Sequence, residues 1–241
     1  MMIYKICATI FILSSSQIVH AQFGKLLNQA KETVLATSVD GSQIASGLKE
    51  ALEVGVGDAV SSLSAEHGYL DSPYKIIVPE EAQKVTQKLA MVPGFQNIEQ
   101  DLIDKMNQAA EIAASKAAPI FLDAITQMSF TDAKDILFGE SDAATRYLEG
   151  SSRESLYAAF LPVIQASLDE VNGRSYWQKA VTAYNNIPFT KDLNPKLDDH
   201  VNQKALDGMF SLIQEKEVGI RDDKSLRSTD LLRDVFAQQD K

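Results

Sequence analysis

The sequence predicts an all-α fold: a single multi-helix domain with proline-kinked helices. Three observations predict it. The stretch 101–138 keeps one apolar stripe, with Met106, Ala110, Ala113, Ala117, Phe121, Ala124 and Met128 spaced three or four residues apart. The same spacing recurs in segments before and after it. Only Tyr74 to Val78 reads as extended, and one short extended piece cannot make a sheet. With 241 residues, no low-complexity tract and no linker dividing the chain, one large domain is expected.

The elements follow in order. Residues 22–40 predict a weak helix, and Ser42 can cap the next, whose apolar positions are Ile44, Leu48, Leu52, Val56 and Val60. Gly47, Gly55 and Gly57 lie inside it. No strand–loop–helix order surrounds them and there is no GxGxxG or GKS/T, so they predict close packing or a kink near Gly55 rather than a phosphate loop. Gly68 stops that helix, and Pro73 and Pro79 punctuate the loop after it. Pro79 suits a first helical position, with Glu80 and Glu81 at the positive end, in a helix running to about Met91.

The long stripe comes next. Its buried face between Ala109 and Ala118 is mostly alanine, which lets helices approach closely, and Pro119 predicts a kink or a fresh helix start near Lys116. Ser129 with Asp132 reads as a helix start and Gly139 as a stop. Ser141 is expected to cap a short helix. Ser151 with Glu154 is expected to start a separate long one carrying Leu156, Phe160, Val163, Ile164 and Leu168, kinked at Pro162. A helix through Trp177 and Val181 follows Asn172-Gly173. Asn194 and Pro195 start a helix to about Gly219, and Thr229 starts the last one.

The N-terminus predicts export. Lys5 supplies a positive start, Ile6 to Leu13 a short apolar run, and Val19 and Ala21 the small residues of a cleavage site before Gln22. Residues 1–21 are thus expected to be a signal peptide and 22–241 the helical domain, periplasmic or secreted. The apolar run is well short of the roughly 20 residues a membrane span needs. Cys7, the sole cysteine, falls within the signal, so the mature chain is expected to be neither a lipoprotein nor disulfide-linked. The formal charge of −10, or −11 without Lys5, disfavours nucleic acid. The mature protein is expected not to span a membrane.

Motifs for chemistry are weak. Asp198, Asp199 and His200 could form an acid–base or metal set, but acids in the first turn of a helix suit its dipole. His200, Gln203, Asp207, Ser211 and Gln214 then share a polar, solvated stripe. His67 and His200 lack a metal-ligand spacing, and residues 132–142 place Ala133, Lys134, Ile136, Leu137 and Phe138 where a calcium loop needs oxygens. No GxSxG elbow occurs. Arg146 and Arg227 lie near hydroxyls and acids and could meet an anion, though surface capping explains them.

Several strings are similar to a known family: GLKEALEVGVGDAV, NQAAEIAASKAAPIFLDAITQMSFTDAKDIL, GESDAATRYL, YNNIPF, LDDHVNQKALDGMF and LRSTDLLRDVF. Over roughly residues 44–237 they resemble the exported bacterial proteins grouped as domain-of-unknown-function family 4197. The resemblance implies a mostly helical envelope protein of a Gram-negative type of bacterium, and no activity. One departure is His200, where the family string usually reads LDDYV, which weakens a catalytic role for it.

The expected function is therefore a non-enzymatic interaction or apolar-ligand-binding protein of the envelope, without cofactor or metal. Its partner is expected to be an envelope protein or an apolar small molecule. A ligand would sit in an apolar cleft near Phe121, Phe160 and Trp177, with Arg146 or Tyr147 at its mouth. The alternatives are a core simply filled by those aromatics, an enzyme using carboxylates near Asp142 and Asp198, or an assembly factor docking on a larger partner.

Overall fold

The computed structural model describes residues 42–79, 83, 86–87, 90–91, 96–170, 173–185, 196–227 and 229–237. Among them are eight α-helices and no strand: α1 Ser42–Ser64, α2 Ile98–Ala114, α3 Ala117–Gln127, α4 Phe130–Leu137, α5 Ala143–Asp169, α6 Gly173–Asn185, α7 Leu197–Asp222 and α8 Asp230–Phe236. A 3-10 turn, Lys224–Leu226, joins the last two. The expected signal segment, the helix at 22–40 and the Asn194-Pro195 start lie outside the described residues. The described residues between 80 and 95 carry helical bonds, from Gln83 to the Pro79 carbonyl and from Ala90 to that of Thr86.

Two long helices organise the packing. Helices α1 and α5 each pack on α2, α3, α4 and α7, so those four lie between them. The α5–α7 contact is the most extensive. The alanine face works as its composition dictates: Ala109, Ala110, Ala113, Ala114 and Ala117 are all fully buried. Side chains this small let α2 sit close against α1, α5 and α7, and α3 against α1 and α5.

Several local signals act where the sequence places them. The chain breaks at Ser115–Lys116 and restarts at Ala117, the fresh start expected ahead of Pro119. Ser129 and Asp132 form a reciprocal capping box on α4, and Thr229 caps α8 by accepting from the Leu232 amide. Gly68 sits in the turn that follows the end of α1 at Ser64, where a side chain has no room: a Cβ would lie 2.3 Å from the Ser62 carbonyl oxygen.

Others do not. The expected division into a short helix from Ser141 and a long one from Ser151 is replaced by one continuous helix, α5. Leu148, Ser152 and Leu156 are all buried along one face, so burial runs straight through the expected break. The Ser151 hydroxyl donates back to the Tyr147 carbonyl instead of capping forward. Helix α1 likewise passes through Gly55 without a break, and α5 through the exposed Pro162.

Candidate functional site

The residues expected around a ligand cleft divide between core and surface. Phe121 and Phe160 are fully buried and Trp177 nearly so. Phe121 meets Phe210 edge-on, with centroids 5.8 Å apart. These aromatics fill the core. Arg146 is exposed and pairs with Asp142 at 3.1 Å, a helical i,i+4 contact. With Tyr147 it lines a separate shallow groove shared with Asp132, Asp135 and Ile136. An apolar cleft does exist elsewhere, among Leu48, Leu52 and Val56 of α1, Ile213 and Ile220 of α7, and Phe236 of α8. Its free space is about 20 Å³, room for one water.

Several buried polar side chains are bonded to the backbone, while the buried Oδ1 of Asn202 meets no hydrogen-bond partner. Glu217 on α7 accepts from the Ala144 amide (3.0 Å), the Thr145 amide (2.8 Å) and the Thr145 hydroxyl (2.8 Å). It thereby caps α5 from another helix, taking the place expected for Ser141, while the N-cap residue Asp142 makes no side-chain capping bond to a backbone amide. Arg221, one turn on, donates to Glu217 (2.8 Å) and to the Ile136 and Leu137 carbonyls at the end of α4 (2.9 and 3.1 Å). One ion pair thus matches charge to the negative end of α4 and the positive end of α5. Arg227, also buried, donates to the Ile220 and Arg221 carbonyls at the end of α7. Its guanidinium and that of Arg221 both lie within 5.8 Å of the Phe236 ring centre.

A second set holds the non-helical segment 65–79. Glu111 accepts from the Tyr69 and Leu70 amides. The Tyr69 hydroxyl donates to the Ala205 carbonyl at 2.8 Å, and burial, reinforced by Glu111, pushes its pKa up. Asn107 accepts from the Ile76 amide and donates to the Ile76 carbonyl, both at 2.8 Å. That two-point grip is what a neighbouring strand would supply, and it explains an extended segment outside any sheet.

Nor do the suspected acids at the start of α7 form a free catalytic set. Asp198 accepts from Gln165 at 2.7 Å and faces Arg174 at 3.6 Å. Asp199 accepts from the Tyr157 hydroxyl at 2.7 Å, a bond that, with burial, pushes that phenol up to about 12. His200 bonds the Ile77 carbonyl through Nε2 at 3.1 Å. Burial lowers its pKa, and the Ile77 bond partly offsets this. Among the described residues no group of three or more His, Cys, Asp or Glu is placed to hold a metal ion.

A further groove, of about 380 Å³, lies between residues 73–79 and α7. Lys75, Ile77, His200, Lys204, Asp207 and Ser211 are among its walls. Tyr74 lies close to Gly208 at one end, where an added Cβ would meet the Tyr74 Cβ at 2.9 Å. The His200–Ile77 bond spans the other end. Ile77 is half exposed, while its neighbours Ile76 and Val78 are buried. Part of the stripe expected to be merely solvated, His200, Asp207 and Ser211, thus lines this groove. Nearby, Arg153 of α5 bonds Gln203 and Asp207 at 3.0 and 2.6 Å.

The sequence reading passed over Glu217, Arg221, Asn107 and Glu111. A signal was present: Glu217 continues the buried series Met209, Ile213 at i+4 spacing, and Asn107 and Glu111 directly follow Met106 and Ala110 of the central stripe. A charge or amide in phase with a buried face needs a partner, and that partner is found only in three dimensions.

Comparison with known families gives one match. The family described as "Protein of unknown function (DUF4197)" covers residues 38–237, and the chain belongs to it. Neither the curated proteins nor the solved structures gave a match.

Proposed function

We propose that this DUF4197 member is an exported envelope protein that works by docking rather than catalysis, and that it presents the groove between residues 73–79 and α7 to a partner protein. The observation that carries the reading is Ile77. It is 50% exposed beside an open groove, on a backbone gripped from behind by Asn107 and from the side by His200. A preorganised apolar side chain at a groove lowers the ordering cost of association. The N-terminal pattern of Lys5, Ile6 to Leu13, Val19 and Ala21 supports export, with residues 1–21 removed. No described helix is long and apolar enough to cross a membrane.

The buried charges support a non-catalytic reading, because Glu217, Arg221 and Arg227 are already bonded to helix ends. An apolar ligand near Phe121, Phe160 and Trp177 is less well supported, since those rings are packed into the core.

Two measurements on the protein expressed with its own N-terminus test the reading. The periplasmic form is expected to begin at Gln22; a membrane-retained form keeping Met1 would contradict export. A photo-crosslinking residue at position 77 is expected to give a discrete adduct in cells, and one at the exposed Ser155 of α5 none. No adduct from position 77, or the same adducts from both, would contradict docking through the groove.

A further inference from the structure

We infer that the groove between residues 73–79 and α7 recognises an extended peptide segment of a partner in which acidic and apolar side chains alternate; this rests on the docking reading above. The shape argues for an extended segment. Residues 74 and 77 face residues 208 and 200, so the segment runs antiparallel to α7. Along both walls that is about 10–12 Å, at roughly 3.3 Å per extended residue and 1.5 Å per helical one. Such a length fits three or four extended residues.

The lining argues for the alternation. Lys75 and Ile77 point outward and are exposed, while Ile76 and Val78 point into the core. The wall therefore offers a cation and an apolar side chain two residues apart, the period of an extended peptide. Lys204 adds a second ammonium from α7, with 57% of its side chain exposed. One carboxylate, Asp207, lines the groove against the two lysines. Asp207 faces Arg153 at 2.6 Å and Lys204 at 3.8 Å, and Glu215 accepts from the Tyr74 hydroxyl at 2.9 Å. On a chain of net charge −10, this groove is a local cationic site with an apolar neighbour. The general field of the protein repels acidic peptides. Binding therefore requires that the acid reach the lysines and the apolar side chain reach Ile77 at the same time.

Fluorescence anisotropy of the mature full-length protein tests this with two labelled probes, a short alternating Glu–Val peptide and its Lys–Val counterpart. The Glu–Val probe is expected to bind and the Lys–Val probe not. The double variant Lys75→Glu/Lys204→Glu is expected to weaken binding roughly tenfold, with the difference shrinking as salt is added. Ile77→Ser is expected to weaken it in a salt-independent way. Circular dichroism of both variants shows whether the fold is kept, and the salt series on the unaltered protein is the readout if either variant unfolds. Equal binding of the two probes, no effect of charge reversal, displacement by inorganic phosphate alone, or occupancy of the groove by a second copy in sedimentation would each overturn the proposal. If position 77 still crosslinks in cells while the Glu–Val probe fails, the peptide class is wrong and docking stands; if both fail, both fall.

Discussion

Replacing Glu217 with alanine is expected to destabilise the protein by about 3–5 kcal/mol, the cost of stranding one member of a buried ion pair. Three groups lose their acceptor together: the Ala144 and Thr145 amides and the Thr145 hydroxyl. The Arg221 guanidinium, whose side chain is 7% exposed, would stay buried without its carboxylate, still bonded to the α4 carbonyls. At a few degrees per kcal/mol for a domain of this size, the thermal midpoint should fall by roughly 10 °C. The double variant Glu217→Leu/Arg221→Met should cost less than the sum of the single changes, because it removes both charges together. Additive losses would mean that the two residues do not act as one clamp.

Replacing Asn107 with alanine is expected to cost about 2–4 kcal/mol. The Ile76 amide and carbonyl each lose a buried partner, at about 1–3 kcal/mol apiece before any water enters. Unlike the Glu217 change, this loss should be local. Segment 73–79 would loosen on the side opposite His200, and docking at Ile77 would weaken even where the helices remain folded. Thermal melts together with the crosslinking yield from position 77 distinguish the two effects. An unchanged melt would show that Asn107 does not anchor the segment.

Legibility in the sequence followed the range of the interaction. The capping box at Ser129 and Asp132, the cap at Thr229 and the restart at Ala117 depend on residues within a turn of one another, and all three were readable. The Ser151–Glu154 box was equally readable and unused. A local signal for a helix start carries little weight against a buried face running unbroken from Leu148 through Ser152 to Leu156. The true cap of α5, Glu217, lies 72 residues from Thr145, and no spacing rule reaches that far. The groove was hidden for the same reason. His200 read as part of a solvated polar stripe, and its bond to the Ile77 carbonyl crosses 123 residues. The aromatics Phe121 and Phe160 could be read as cleft or as core, because periodicity gives the buried face of a helix but not whether space lies beside it.

The central claim is that Asn107, Glu111, Glu217 and Arg221 anchor backbone, and that the groove between residues 73–79 and α7 is the working surface. Native-state hydrogen exchange at the amides of Ile76, Ala144 and Thr145 tests it most directly. If Asn107 and Glu217 hold those amides as the geometry indicates, the three should exchange only on global unfolding, as slowly as core amides of α2 such as that of Ala110. Exchange at the rate of surface amides would contradict it, since Asn107 and Glu217 would then be free for another role.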